Sequence, residues 1–455
     1  MVRSFDVIVI GAGSGMEVVS EAVERGLKVA VIEDGPFGGT CHNRGCIPSK
    51  MLIHCADILE TIKTAERFGI KANVQGFDWD FIMDRVYKDL DAEAASMEEA
   101  SRQHPLITVY KDAARFVGER TLEVGEAVVT APSIVIAAGT RPSVPSIPGT
   151  DSVPYITSGE ALRLRPQPRS MAIVGGGFVA AELAHFFGTF GTKVTLIHRR
   201  STLLREEDEE VSSAFTEVFR NKLDFIPNAT VQEVRHSRGG VALTVEGSGA
   251  RRTVEAEALL FATGRIPNTD ILDVGKAGVE VDDHGFVKTD GYLRTTAYGV
   301  WAFGDVVGKY QLKHNANLEA AYVVHNLFNP DSLAAVDHHA MPHAVFTSPQ
   351  VASGGMTEQA AKAQNIPYVV ARYDYKNTAY GASIEDNDGF VKVLAHAETK
   401  EIIGCHIMGT DASILIHEAG IAMRVRLGPE AITQAIYVHP ALSEVLQRAF
   451  SSLRF

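Results

Sequence analysis

The stretch Phe5-Asp-Val-Ile-Val-Ile-Gly11-Ala-Gly13-Ser-Gly15-Met16 decides the fold class. A short, nearly continuous apolar run ends in closely spaced glycines and flows into Met16–Arg25, whose pattern predicts a helix. Continuous apolar character, rather than alternation, is what a parallel strand covered on both faces needs. Gly26-Leu-Lys-Val-Ala-Val-Ile-Glu33 follows as a second apolar strand closing on a carboxylate, so residues 5–33 predict one βαβ unit.

The same pattern returns about 160 residues later. Met171–Val174 leads into Gly175-Gly-Gly177-Phe-Val-Ala180, a helix through Phe190 and a strand over Lys193–Ile197. Two such units predict an α/β protein with two Rossmann-like dinucleotide-binding domains. The length, 455 residues, agrees with about three domains of roughly 150 residues. Between the units, Asp57–Gln103 reads as long, charged and helical, and Thr108–Val129 and Ser133–Ala138 as short strands. Proline-rich Arg141–Pro148 and Arg165–Arg169 read as linkers. A helix is predicted over His314–Phe328. From Pro342 onward, strands at Tyr368–Arg372, Gly389–Leu394 and Ile402–Met408, followed by two helices, predict a C-terminal α+β domain.

Hydrophobic residues make up 45% and charged residues 22%, which excludes a disordered or collagenous chain. The net charge of −13 repels polyanions, so nucleic acid is not an expected partner. The start, MVRSFDVIVIGAG, enters a strand pattern at once with no leader-like apolar region, and no apolar run reaches the ~20 residues that span a bilayer. Four cysteines, Cys41, Cys46, Cys55 and Cys405, are too few for a disulfide-stapled secreted protein. A cytoplasmic, reducing location with no membrane partner is expected.

Gly11, Gly13, Ser14 and Gly15 lie between strand and helix, where glycines permit a tight turn and a helix N-terminus faces a pyrophosphate. Glu33 stands where a carboxylate accepts hydrogen bonds from ribose hydroxyls. Met16 replaces the usual small third residue, which leaves the helix–strand spacing to be explained. In the second unit Gly175 and Gly177 repeat the loop, and His198-Arg199-Arg200 occupies the position of Glu33. Guanidinium groups there clamp a 2′-phosphate, which favours NADPH over NADH; the alternative is a solvated basic turn.

Cys41-His-Asn-Arg-Gly-Cys46-Ile-Pro-Ser-Lys50 carries the chemistry. Five residues along a regular helix put two sulfurs about 140° apart, so a disulfide needs distorted backbone, which Asn43 and Gly45 allow. No CxxC pair supports a structural zinc site, and no metal is expected. Buried inert thiols are the plain alternative, but a helix start lowers thiolate pKa and favours a redox-active dithiol. His42 and Arg44 are read as attracting an acidic or polar thiol substrate or lowering the pKa of Cys41.

With these motifs the chain resembles the pyridine nucleotide-disulfide oxidoreductases of the glutathione reductase and dihydrolipoamide dehydrogenase type. The likeness spans essentially the whole chain and includes Gly38-Gly39-Thr40 before Cys41, Ala137-Ala138-Gly139-Thr140-Arg141-Pro142, Ala262-Thr-Gly264-Arg265-Ile-Pro-Asn268, Ala302-Phe-Gly304-Asp305 and His439-Pro-x-x-x-Glu444. It implies FAD on the first fingerprint, with Gly39, Thr40, Ala138, Gly139, Gly264, Arg265, Gly304 and Asp305 among the cofactor-binding residues. It implies Cys41 as the interchange thiol, Cys46 as the thiolate in charge transfer with the flavin, and Lys50 near flavin N5, paired with Glu182. His439 and Glu444 become an acid/base dyad supplied by the partner of a homodimer, although a helix-capping turn explains the same residues.

The resemblance divides the chain into an FAD-binding domain (1–148), an NAD(P)H-binding domain (149–265), a central region packing with the FAD domain (266–336) and a dimerisation domain (337–455). Within the family the chain looks most like the mycothione reductases, through Tyr310–Glu319, Ala344–Gln350, Ala379–Asp386 and His406–Gly409. The expected reaction carries electrons from NADPH through FAD and the Cys41–Cys46 disulfide to a small-molecule disulfide. Dihydrolipoamide dehydrogenase activity is the alternative within the class, and a flavoprotein binding subunit of a larger complex the alternative outside it. Mercuric reduction is disfavoured because Leu442–Phe455 lacks paired cysteines.

Overall fold

A computed structural model describes residues 2–247 and 249–455. The chain forms two compact units: Met1–Met51 with Asp78–Ser143 and Gly264–Asp337, and Leu52–Phe77 with Val144–Thr263 and His338–Phe455.

The first unit is built on a five-stranded parallel sheet, in the order Val300–Ala302, Ser133–Ile136, Val7–Ile10, Val29–Ile32, Ile107–Tyr110. Successive residues of a strand point to opposite faces. Val7, Val9, Val29 and Val31 therefore pack under the helices Gly15–Glu24 and Lys313–Phe328, against Val18, Val19, Ala22 and Val323. Ile8, Ile10, Ala30 and Ile32 face Phe116, Leu122, Val124 and Val129 from the strands Ala114–Gly118, Thr121–Val124 and Ala127–Thr130. This two-sided burial is the physical reason the strand sequences are continuously apolar, each buried Val or Ile contributing about 1.5–3 kcal/mol of transfer free energy.

The spacing left open by Met16 is settled one residue earlier. A side chain at Gly15 would begin 2.8 Å from Val9 Cγ1 and 3.3 Å from Ala137 Cβ. Gly15 thus makes the close helix–strand approach, and Met16 lies half-buried at the core margin.

The second unit contains the other parallel sheet, in the order Asp224–Ile226, Lys193–Ile197, Ser170–Val174, Ala258–Phe261, with the helix Phe178–Thr189 following the glycine loop. An antiparallel meander, Ala229–Ser237, Gly240–Gly247 and Ala250–Ala256, is added to it. Arg165–Arg169, read as a linker, lies inside this unit, where the Arg169 N–H and guanidinium both bind Glu257. The C-terminal part carries a five-stranded antiparallel sheet, in the order Pro342–Val345, Gln350–Gly355, Ile402–Gly409, Phe390–His396, Tyr368–Asp374. Leu415, Ile416 and Met423 of helix Ala412–Arg424, and Val445, Leu446 and Phe450 of helix Glu444–Ser451, share its core with Val391, Val393 and Ile407.

The long helical stretch expected over Asp57–Gln103 is two helices, Cys46–Thr64 and Trp79–Gln103. A 3-10 turn over Ala65–Phe68 ends on Gly69 at φ +77°, and Asp78 restarts the chain by accepting the Phe81 N–H at 2.9 Å. Among the described residues, no helix is long and apolar enough to cross a membrane.

Candidate active site

Cys41 and Cys46 sit on either side of a helix break. Cys41 belongs to the helix Gly39–Arg44, Gly45 interrupts the path, and Cys46 is the first residue of Cys46–Thr64. A side chain at Gly45 would begin 2.9 Å from the Thr40 carbonyl oxygen, so the break needs a glycine. The distortion brings the two thiols into a hydrogen bond. Donation from Cys41, and then the charge of Lys50 one turn along the helix, lower the Cys46 thiol to about 7 against the opposing cost of burial. The same hydrogen bond, with burial, pushes Cys41 up. The pair is therefore polarised, with Cys46 the more acidic sulfur.

Around the pair the first unit assembles most of the expected cofactor residues. Gly13 and Gly39 lie back to back: a side chain at Gly39, whose φ is +64°, would begin 2.9 Å from Gly13 Cα. Thr140–Pro142 pairs antiparallel with Arg265–Pro267, Thr140 opposite Pro267 and Pro142 opposite Arg265, which sets Gly139 beside Asn268 and Gly264 beside Ser143. Asn268 Nδ2 donates to the Ala138 carbonyl at 2.8 Å, and Arg141 clamps Asp270. Thr140 Oγ1 donates to Asp305 Oδ2 at 3.2 Å and accepts from Arg265 Nε at 2.7 Å. Burial raises the Asp305 carboxyl and lowers the Arg265 guanidinium, and Cys46 lies within the field of both. The Gly304 N–H is taken by Glu319 Oε2.

Glu33 accepts the Ala12 N–H on Oε2 and the Gly35 N–H on Oε1, each at 2.8 Å. Burial raises its carboxyl against these donors. A dinucleotide fits this surface: Gly139 and Gly264 each leave open space where a side chain would begin, and the glycine loop ends on a helix N-terminus.

His42 and Arg44 have different surroundings. His42 is buried, its Nε2 2.9 Å from the Leu90 carbonyl oxygen. A side chain at Gly35 would meet Arg44 Nη2 and Glu33 Oε1 at 3.2 Å each, so the guanidinium lies on the Glu33 side. The cation that lowers Cys41 is Lys313.

In the second unit, His198 packs its ring on the glycine loop, 2.5 Å from where a Gly176 side chain would begin. Its Nε2 is buried without a partner. Burial, with Arg199, Arg200 and Arg205 nearby, lowers His198 to about 4. Arg199 and Arg200 are exposed, as is Gly177, two residues beyond Gly175. Glu182, on the helix Phe178–Thr189, is buried and accepts the Phe346 N–H at 2.9 Å; it belongs to the second unit and Lys50 to the first.

His439 is 70% exposed in its side chain, and its Nδ1 stands 3.0 and 3.2 Å from the two oxygens of Glu444. Glu444, the first residue of its helix, also accepts the Ala441 N–H. His439, and then that N–H, lower its carboxyl. One carboxylate therefore both orients the imidazole and braces the turn. Cys405 is wholly buried, with its thiol pushed up, and Cys55 is half-buried.

Sequence reasoning missed a buried network in this unit. Glu207 accepts from His343 at 2.6 Å and from Ser353 at 2.6 Å, while Lys392 pairs with Asp208 at 2.8 Å and Glu358 at 2.6 Å. Its members are far apart in sequence, so no local spacing announces them. Asp57, Glu60 and His185 form a smaller group whose ligand-type atoms lie within 4.8 Å, with Lys222 on Glu60 at 2.5 Å supplying positive charge.

Residues 5–320 match the pyridine nucleotide-disulphide oxidoreductase family and residues 341–450 its dimerisation domain. The chain is 40% identical to mycothione reductase of Mycobacterium tuberculosis over 464 residues, covering 99% of this chain and 100% of that protein. It is 33% identical to dihydrolipoyl dehydrogenase of Chlamydia muridarum, covering 98% and 96%. The HOCl-induced flavoprotein disulfide reductase RclA from Escherichia coli superposes with a TM-score of 0.87 at 27% identity, covering 99% and 100%. The chain belongs to the pyridine nucleotide-disulphide oxidoreductase family, flavoprotein disulfide oxidoreductases that bind FAD and a pyridine nucleotide.

Proposed function

We propose that the chain is an NADPH-dependent reductase of a low-molecular-weight disulfide of the mycothione type, working as a homodimer. The observation that carries this reading is the polarised Cys41–Cys46 pair, with Cys46 held at about 7 beside Lys50. Bound FAD supplies two-electron transfer between nicotinamide and protein disulfide. Cys41 gives its proton to His439 Nε2 and attacks the substrate disulfide, forming a mixed disulfide and releasing one thiolate. Cys46 then attacks Cys41, releasing the second thiolate and closing the protein disulfide, which NADPH reopens with net uptake of one proton.

Each residue has a role that suits its surroundings. His439, oriented by Glu444 and supplied by the second copy, protonates the leaving thiolate at Nε2. The Cys41 hydrogen bond and then the charge of Lys50 favour the Cys46 thiolate. Gly11, Gly13, Ser14, Gly15, Glu33, Gly39, Thr40, Ala138, Gly139, Gly264, Arg265, Gly304 and Asp305 form the FAD surface. Gly175, Gly177, His198, Arg199 and Arg200 form the surface for the nucleotide, where two exposed guanidinium groups favour a 2′-phosphate. Dihydrolipoamide oxidation, the activity named for relatives 33% identical, runs the same thiol chemistry in reverse.

Turnover with NADPH should be compared across the disulfides of mycothiol, glutathione, bis-γ-glutamylcystine, coenzyme A and lipoamide. Mycothiol disulfide should give the highest kcat/KM, and NADPH should outperform NADH. A clear preference for lipoamide with NAD⁺ would replace this reading by the second. Anaerobic NADPH titration should also develop long-wavelength absorbance, and its persistence in Cys46→Ser would remove Cys46 from its role.

A further inference from the structure

Lys313 places an ammonium at the start of two helices, hydrogen-bonded to a hydroxyl and, among the described residues, not to a carboxylate. It opens the helix Lys313–Phe328, and its Nζ donates to Ser14 Oγ at 2.7 Å. Ser14 precedes the helix Gly15–Glu24, yet its side chain does not cap that helix: the hydroxyl donates to Asn317 Oδ1 at 3.0 Å and accepts from Lys313. Leu312 offers no cap to the second helix. An ammonium therefore stands where two helices begin, each carrying partial positive charge, the position at which a cation is disfavoured and an anion stabilised. Among the described residues, no carboxylate lies within ion-pair distance of Lys313. Glu17 lies in the first turn of the helix Gly15–Glu24, but among the described residues no carboxylate pairs with the ammonium itself.

We propose that Lys313 is a positioning residue for FAD, its ammonium turning from Ser14 to pair with the pyrophosphate that the first glycine loop receives. This rests on the first fingerprint being the FAD site. The anion resolves the charge conflict, and Ser14, freed of Lys313, regains an acceptor for the N–H groups of its own helix. Because Lys313 is also the cation that lowers Cys41, one side chain links cofactor retention to the reactivity of the interchange thiol.

The test uses holoenzyme, Lys313→Gln and Lys313→Arg, with FAD release on dilution and on heating followed by flavin fluorescence. A charge-assisted hydrogen bond sets the expected rise in FAD dissociation constant for Lys313→Gln at about 10- to 100-fold. Lys313→Arg should restore most of it. Raising the ionic strength from about 10 mM to 500 mM should weaken FAD retention in the wild type more than in Lys313→Gln. Retention in Lys313→Gln within about twofold of wild type, or an unchanged salt response, overturns the proposal. If Lys313→Gln does not fold, the wild-type salt response and Lys313→Arg decide it, and salt-independent wild-type retention counts against it. Wild-type protein that binds no FAD refutes the FAD-site reading instead.

Discussion

Replacing Cys41 by alanine removes the group that most lowers Cys46. A hydrogen bond to a charged acceptor is worth about 1.5–3 kcal/mol, or about 1–2 pKa units. What remains to favour the Cys46 thiolate is Lys50 and the backbone, opposed by burial. The thiol should therefore move from about 7 to about 8–9. The sign is that of an acid losing a donor to its charged form, so the thiolate fraction at pH 7 falls from about one half to about one tenth or less. The assay is the pH dependence of iodoacetamide alkylation of Cys46 in Cys41→Ala, compared with alkylation of the reduced wild type followed residue by residue. An unchanged midpoint in Cys41→Ala would refute the reasoning and assign the acidity of Cys46 to Lys50 and the bound cofactor.

Arg199→Ala with Arg200→Ala should raise the KM for NADPH about tenfold or more and leave that for NADH nearly unchanged, which steady-state kinetics with each nucleotide would show. His439→Gln should lower kcat with the disulfide substrate about 10²- to 10⁴-fold while anaerobic reduction of the enzyme by NADPH keeps its rate. Lys392→Met leaves Asp208 buried without its partner, and denaturant unfolding should register a loss of about 3–5 kcal/mol. The Glu207–His343 pair depresses the carboxyl and raises the imidazole, so its stabilisation is fully present between the ordinary values of about 4.5 and 6.5. It is lost as pH falls through the depressed Glu207 value or rises through the raised His343 value, and thermal melts of His343→Gln against wild type should converge at both extremes.

The parallel strands and glycine loops were legible because two-sided burial and close backbone approach both write themselves into adjacent residues. Val7–Ile10 and Lys193–Ile197 have few alternatives to a buried strand. The meander Ala229–Ala256 was not legible: residues such as Thr230, Glu233 and Arg235 face solvent, so its apolar pattern is diluted. The cysteine pair was recognisable from spacing, and the break at Gly45 gives the distortion that a regular helix forbids. The neighbours of Arg44 were not legible, because the turn through Gly38 and Gly39, both at positive φ, brings Gly35 beside its guanidinium. Thr140, which ties Arg265 to Asp305, lay within a motif that was read yet carried no signal of its own, since its partners stand 125 and 165 residues away.

The ribbon of Thr140–Pro142 and Arg265–Pro267 has a consequence for how the chain can be rearranged. Immediately after the ribbon's first strand the Ser143 N–H donates to the Gly264 carbonyl at 2.9 Å, so the peptide that departs the first unit and the one that re-enters it are neighbours. The segment from Val144 to Thr263 leaves and returns at this one clasp, and within its own unit it is also held to the C-terminal part by Glu207–His343 and Asp208–Lys392. The clasp fixes where the segment's two ends meet, so insertions within its loops add little closure entropy. A replacement of the whole segment must also supply partners for His343 and Lys392, which the clasp does not provide.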